Sequence, residues 1–146
     1  MTHRDSVERW LIHEGLKFNE EKSDENSFLI KINHAGVNGV PIEIFEPKSQ
    51  PGVLVVGSKV IMKNNQISRL LGFSKEEKEK FDKKVGEFCN SIEAIHKMIT
   101  EDGKQKIGVY VVLDKTEKIN QPGIFDAINL VSEMNEKTSR FLLKTF

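Results

Sequence analysis

The chain has 146 residues, of which 38% are hydrophobic, with 22 basic side chains balanced by 22 acidic ones. That length supports one domain, residues 1–146, whose core needs no disulfide or metal staple. The zero formal charge excludes a general attraction to nucleic acid or anionic lipid, and Cys89, the only cysteine, excludes an internal disulfide and fits a reducing, cytoplasmic setting.

The N-terminus shows no apolar signal segment. Thr2 or Asp5 caps a first helix, in which Val7, Trp10 and Leu11 share a face and Gly15 marks the end. Leu16 and Phe18 follow as extended anchors, and the polar, mostly acidic stretch Asn19 to Asn26 reads as an exposed loop. From Phe28 the period is two. Phe28, Ile30 and Ile32 point one way, and Leu29, Lys31 and Asn33 the other. Gly36 and Asn38-Gly39 supply a turn, and Ile42 and Ile44 alternate with Glu43 and Phe45 in a second strand. After Pro51-Gly52, Val53 to Val56 is a third strand, which Gly57 bends or bulges before Lys59 to Met62. The three runs read as an antiparallel meander.

Asn64 or Asn65 opens a short helix that Gly72 stops. Ser74 and Glu77 form a capping box. Phe81, Val85, Phe88, Ile92, Ile95 and Ile99 then recur at spacings of four and three, which predicts a helix from about Lys75 to Thr100, with Asn90-Ser91 as a place for a break. Asp102-Gly103 is a turn, Ile107 to Leu113 a central strand, and a final helix with Pro122 in its first turn runs from about Gln121 to Lys144. The longest apolar runs, Val53 to Val56 and Val109 to Leu113, are too short to span a bilayer, so no membrane contact is expected. The pattern predicts an α+β fold: an antiparallel sheet of four or five strands packed against helices, in the order α-β-β-β-α-β-α.

The final helix has an unusually wide apolar face. Ile124, Ile128, Val131 and Leu142 form one stripe, and Ala127, Leu130, Met134 and Phe141 a flanking one. One reading seats the helix in a groove of its own chain. The other packs the second stripe on a twin subunit or another protein, with Phe125, off both stripes, as an exposed anchor.

Chemical signals are weaker. His3, His13, His34 and His96 lie on different elements, and Cys89 and His96 are too far apart along a helix for direct contact, so no metal, cofactor or catalytic residue is expected. The carboxylates Asp82, Glu87, Glu93, Asp102, Asp114, Asp126 and Glu133 fall on polar faces or in turns. Gly36 to Gly39 lacks the Lys-Ser/Thr ending of a phosphate loop. Lys104, Lys106, Lys115 and Lys118 protect a strand or meet phosphate, but no aromatic platform for single-stranded nucleic acid accompanies them.

Trp10-Leu11 with Gly15-Leu16, Phe28 to Ile32, Pro41-Ile42-Glu43-Ile44 with Pro47-Lys48, and the Gln66 to Leu71 helix resemble a family of uncharacterised proteins found mainly in methanogenic archaea. The element order also resembles the type III secretion chaperone-like fold. That resemblance implies a homodimer joined through helix and sheet edge that binds extended protein segments, and it implies no enzyme activity. It calls for a second strand from Ile95 to Thr100, where the period reads helix. The leading expectation is therefore a cytoplasmic, non-enzymatic, chaperone-like homodimer that holds a protein segment, with Phe125, Leu130, Met134 and Phe141 as partner-binding residues. The alternatives are a small enzyme with a sheet-helix cleft and a weak nucleic-acid binder.

Overall fold

The computed structural model describes residues 2–36 and 38–146; Met1 and Val37 lie outside the described residues, and the turn expected over 36–39 falls partly on Val37. The elements are α1 (His3–His13), β1 (Asn19–Glu21), β2 (Asn26–Ala35), β3 (Val40–Pro47), β4 (Leu54–Ile61), α2 (Asn64–Leu71), α3 (Lys75–Ser91), β5 (Ile95–Glu101), β6 (Lys104–Leu113) and α4 (Gln121–Thr145), with a 3-10 turn at Thr116–Lys118. The strands form a six-stranded antiparallel sheet in the order β1-β2-β3-β4-β6-β5.

The α+β class stands, with more strands than the hydrophobic pattern shows. The acidic stretch expected as a loop contains β1, which pairs Asn19, Glu20 and Glu21 with Lys31, Ile30 and Leu29. All three β1 side chains are exposed, so no alternation of apolar residues announces the strand. The expected 75–100 helix ends at Ser91. Ala94 N–H closes it on Cys89 O at 2.8 Å, and Glu93 takes a left-handed φ of 57°. Ile95–Glu101 is then β5, and left-handed Asp102 and Gly103 (φ 52° and 74°) turn it back into β6. The four-residue spacing from Ile95 to Ile99 fits a helix and a strand face equally, and β-branched Ile95, Ile99 and Thr100 favour the strand. Gly57 makes no bulge. It sits in register opposite Glu43 within an unbroken β4.

Two compact units make up the chain, Met1–Ser58 with Tyr110–Glu133, and Lys59–Val109 with Met134–Phe146. In the first unit, register puts Ile30 opposite Ile44, Ile32 opposite Ile42, and Ile44 opposite Val56, so one sheet face is apolar. All five are at most 1% exposed, as are Val7, Leu11, Leu54, Ile124, Ile128 and Val131. Each large side chain so covered contributes roughly 1.5–3 kcal/mol. Arg4 of α1 pairs with Glu20, the residue opposite Ile30, and this places α1 on that face. Thr2 caps α1 by accepting from Asp5 N–H at 3.2 Å.

The β2–β3 hairpin is fastened to α4 within the same unit. Asn38 N–H donates to Ser132 Oγ at 3.1 Å, and Asn38 Nδ2 donates to Ser132 O at 3.2 Å. Gly36 has φ 76°, and a Cβ there would lie 2.5 Å from Ser132 Cβ. Only glycine satisfies both the conformation and the approach.

In the second unit, Val60, Met62, Leu70, Phe81, Val85, Cys89, Ile107, Val109, Met134 and Leu142 are buried. The expected capping box is present: Glu77 N–H donates to Ser74 Oγ, and Ser74 N–H to Glu77 Oε1, each at 3.2 Å. Phe88 of α3 stacks on Phe141 of α4 at 4.5 Å. Lys59 of β4 and Glu101 of β5 form an ion pair at 2.6 Å.

Gly36→Ala is expected to destabilise the chain by roughly 2–5 kcal/mol, the sum of a left-handed alanine and a forced shift against Ser132. Gly39→Ala, where nothing lies within 4 Å of an added Cβ, bears only the conformational part, about 1–2 kcal/mol. Urea unfolding of the two variants checks the difference.

Candidate binding surfaces

Strand alternation gives the first unit's sheet a second face, and this one is partly open. Leu29 stands opposite Phe45, and Phe45 opposite Val55. Tyr110 of β6 meets Phe45 edge to face with centroids 6.3 Å apart. Leu29, Phe45 and Tyr110 are half-buried, and Val112, two residues along from Tyr110, is 37% exposed. An apolar row thus crosses the face. Beside it runs a charged row, Asn19, Lys31, Glu43 and Gly57, in which Lys31 Nζ lies 3.1 Å from Glu21 and 3.8 Å from Glu43. The sequence carries the signal for this face in the pairs Leu29/Lys31 and Glu43/Phe45, but Tyr110 and Val112 sit in a continuous apolar run where two faces cannot be told apart.

The sheet's two edges differ. One is β1, three residues long, exposed and acidic. The other is β5, seven residues of sequence Ile-His-Lys-Met-Ile-Thr-Glu. Short, charged edges resist pairing with another chain, whereas a longer edge with apolar side chains offers its unpaired amides and carbonyls as a template. On β5, Ile95 is exposed, and Met98 and Ile99 are half-buried.

The four last-helix residues expected to bind a partner are placed differently from one another. Leu130 is 45% exposed, and Phe125 is half-buried, both in the first unit. About 140° of helix separates them. In the second unit, Met134 is only 3% exposed, and Phe141 is half-buried against Phe88. Hydrophobic spacing shows how wide an apolar face is, but not which neighbours cover it.

Several ionisable groups form ion pairs. Arg4 is a hub: Nε lies 2.6 Å from Glu20, and Nη1 2.6 Å from Glu8 and 3.2 Å from Asp5. These carboxylates raise the Arg4 pKa, led by the hydrogen bond to Glu20. The Asp5 pKa is lowered, first by its hydrogen bond to Thr2 and then by Arg4. Cys89 is buried, and desolvation raises its pKa, which leaves the thiol protonated and inert. His34 Nδ1–H donates to Gly39 O at 3.2 Å on the edge of a hollow of about 490 Å³ formed with Gly15, Leu16, Lys17, Phe18, Asn19 and Asn33. His96 sits over Gly86 of α3. Among the described residues, no group of three histidines, cysteines or carboxylates is arranged to hold a metal ion, and no helix is long and apolar enough to cross a membrane. Of the basic residues around β6, Lys104 and Lys106 belong to the second unit, and exposed Lys115 and Lys118 to the first.

Fold and surfaces together define an α+β protein whose first unit has one apolar, buried sheet face and one partly open face. The chain belongs to the family described as an uncharacterized conserved protein, DUF2299, which it matches over residues 3–142. Its fold is similar to the crystal structure of an uncharacterized protein from Methanothermobacter thermautotrophicus, with a TM-score of 0.76, 14% identity and 99% of each chain covered. No curated protein matches it.

Because the folded state lowers the Asp5 pKa, its cap contributes stability above the ordinary 3.8 and loses it as pH falls through the lowered value. Carboxyl NMR is expected to show Asp5 titrating below 3.8, and Thr2→Ala to raise that midpoint. An unchanged midpoint in the variant contradicts the hydrogen-bond assignment.

Proposed function

We propose that the chain is a non-enzymatic binding protein that works in the cytoplasm as a homodimer and holds an apolar protein segment. The observation that carries the reading is the contrast between the sheet's edges, a three-residue acidic β1 and a seven-residue β5 that carries Ile95, Met98 and Ile99 beside Lys97 and Glu101. The two-residue Asp102-Gly103 turn sets Glu101 opposite Lys104, so alternation leaves the amides of Met98 and Thr100 pointing away from β6. Two copies of β5 paired antiparallel about Ile99 place Met98 opposite Thr100 and Lys97 opposite Glu101, twice over. Glu101 would then serve both Lys97 of the other copy and its own Lys59. A formal charge of zero removes any general repulsion between copies.

For the held segment, we assign the half-open row Leu29, Phe45, Val55, Tyr110 and Val112, whose aromatic members suit an extended apolar chain. Leu130 adds partner surface on α4 and half-buried Phe125 a separate contact about 140° around the helix, while Met134 supports the helix from within and Phe141 through its stack on Phe88. A single cooperative domain over residues 1–146 belongs to the same reading, because the three boundaries between the two units fall inside β4, β6 and α4.

Light scattering is expected to give twice the chain mass of 16.7 kDa. Thr100→Pro removes an outward amide that a free edge strand does not need, so it is expected to yield a folded monomer. A wild-type monomer at millimolar concentration rejects the dimer. For the domain, far-UV circular dichroism and Trp10 fluorescence are expected to report one thermal midpoint, and separated midpoints reject cooperativity.

A further inference from the structure

A small cleft in the second unit is lined by Phe73, Glu77, Lys80, Phe81, Lys84 and Thr145 and has a volume of about 200 Å³. Its walls are aromatic. Phe73 meets Phe81 edge to face with centroids 6.3 Å apart, and the ring of Phe146 lies 5.9 Å from Phe73 and 5.2 Å from Phe81. Phe81 is only 3% exposed and forms the floor, while Phe73 is half-buried. Glu77, Lys80, Phe81 and Lys84 follow one another on α3 at steps of three, one and three, so the helix puts them on one side.

The charges on this rim are not equivalent. Glu77 Oε1 is turned back to accept from Ser74 N–H in the capping box. Lys80 Nζ leans on Glu76 at 3.7 Å. Lys84 is exposed and makes no ion pair among the described residues. An aromatic slot therefore opens beside an uncommitted ammonium. A bare hydrocarbon would not use the lysine, and an inorganic anion would not use the rings. A cavity of roughly 150 Å³ accepts a benzene, so this one has room for a single ring and a short arm.

We propose that this cleft binds a small aromatic carboxylate, with the ring packed against the cleft side of the Phe73–Phe81 pair and the carboxylate on Lys84. Edge-to-face packing holds the ring, and a charge-assisted hydrogen bond holds the acid. The site is independent of the β5 edge, so its occupancy and the oligomeric state are separable measurements.

The test titrates the full-length, isotope-labelled protein with 3-phenylpropanoate and, separately, with neutral 3-phenylpropan-1-ol, following amide shifts. Saturable shifts confined to the residues lining the cleft are expected. The carboxylate should bind roughly two- to fivefold tighter than the alcohol, as one exposed ion pair provides. Lys84→Glu should abolish that preference and spare alcohol binding, whereas Phe73→Ala should weaken both. Absent shifts, shifts scattered over the chain, equal affinities for the two ligands in the wild type, or a carboxylate affinity unmoved by Lys84→Glu would each overturn the proposal.

Discussion

The first unit depends on the register of β2 against β3. Ile30 opposite Ile44 and Ile32 opposite Ile42 give one face whose side chains are essentially solvent-free, and the same pairing leaves Lys31 opposite Glu43 on the other face. Because the side-chain period along a strand is two, a slip of one residue in either strand would exchange these sets. It would bury charge and expose isoleucines that each contribute roughly 1.5–3 kcal/mol. The hairpin's far end adds a second fix. Asn38 bonds Ser132 twice, and Gly36 lets the backbone lie against that serine, so the strands are held at a defined place along α4. The irregularity between Ile32 and Ala35 lies next to this anchor, where the ladder must end and the chain must reach the helix.

The same register decides which surface remains. Once one face is committed to the core, every apolar residue of opposite parity has to find cover from its neighbours in the sheet. Val55 succeeds, at 7% exposed, because Phe45 stands beside it in the row. Leu29, Phe45 and Tyr110 succeed only halfway. The Lys31 ion pairs beside them are exposed or half-exposed and add little stability. Their effect is to keep the remaining face wet and in register.

Much of this architecture was legible in the chain. Period-two alternation marks β2 and β3, and Ser74 with Glu77 marks the start of α3. What escaped was structure whose local pattern belongs to two classes. The 95–99 spacing satisfies a helix face as well as a strand face, and the deciding feature, a left-handed Glu93, is not a preference that the residue type announces. β1 has no apolar residue to alternate, so it exists only through its partner β2. The surfaces were less legible still. Leu130 and Met134 lie on one predicted stripe of α4, yet one is exposed and the other enclosed. Period measures the angle at which a side chain leaves a helix, and tertiary neighbours alone determine what it meets.

The contrast between the edges follows from the same economy of side chains. β1 can be acidic because it has little core to supply: its Glu20 is held by Arg4, and its Glu21 by Lys31. Those pairs turn a strand with no hydrophobic reason to form into an ordered border that repels a further strand. β5 cannot be treated this way. Beyond the left-handed Glu93, its chain must turn back at Asp102-Gly103 to deliver Ile107 and Val109 to the buried part of β6, and β-branched residues favour the extended conformation this requires. An edge built from Ile95, Met98 and Ile99 is thus what the sequence needs to make β6 internal. Lys97 and Glu101 in the same strand leave that border mixed, with charged side chains beside the apolar ones.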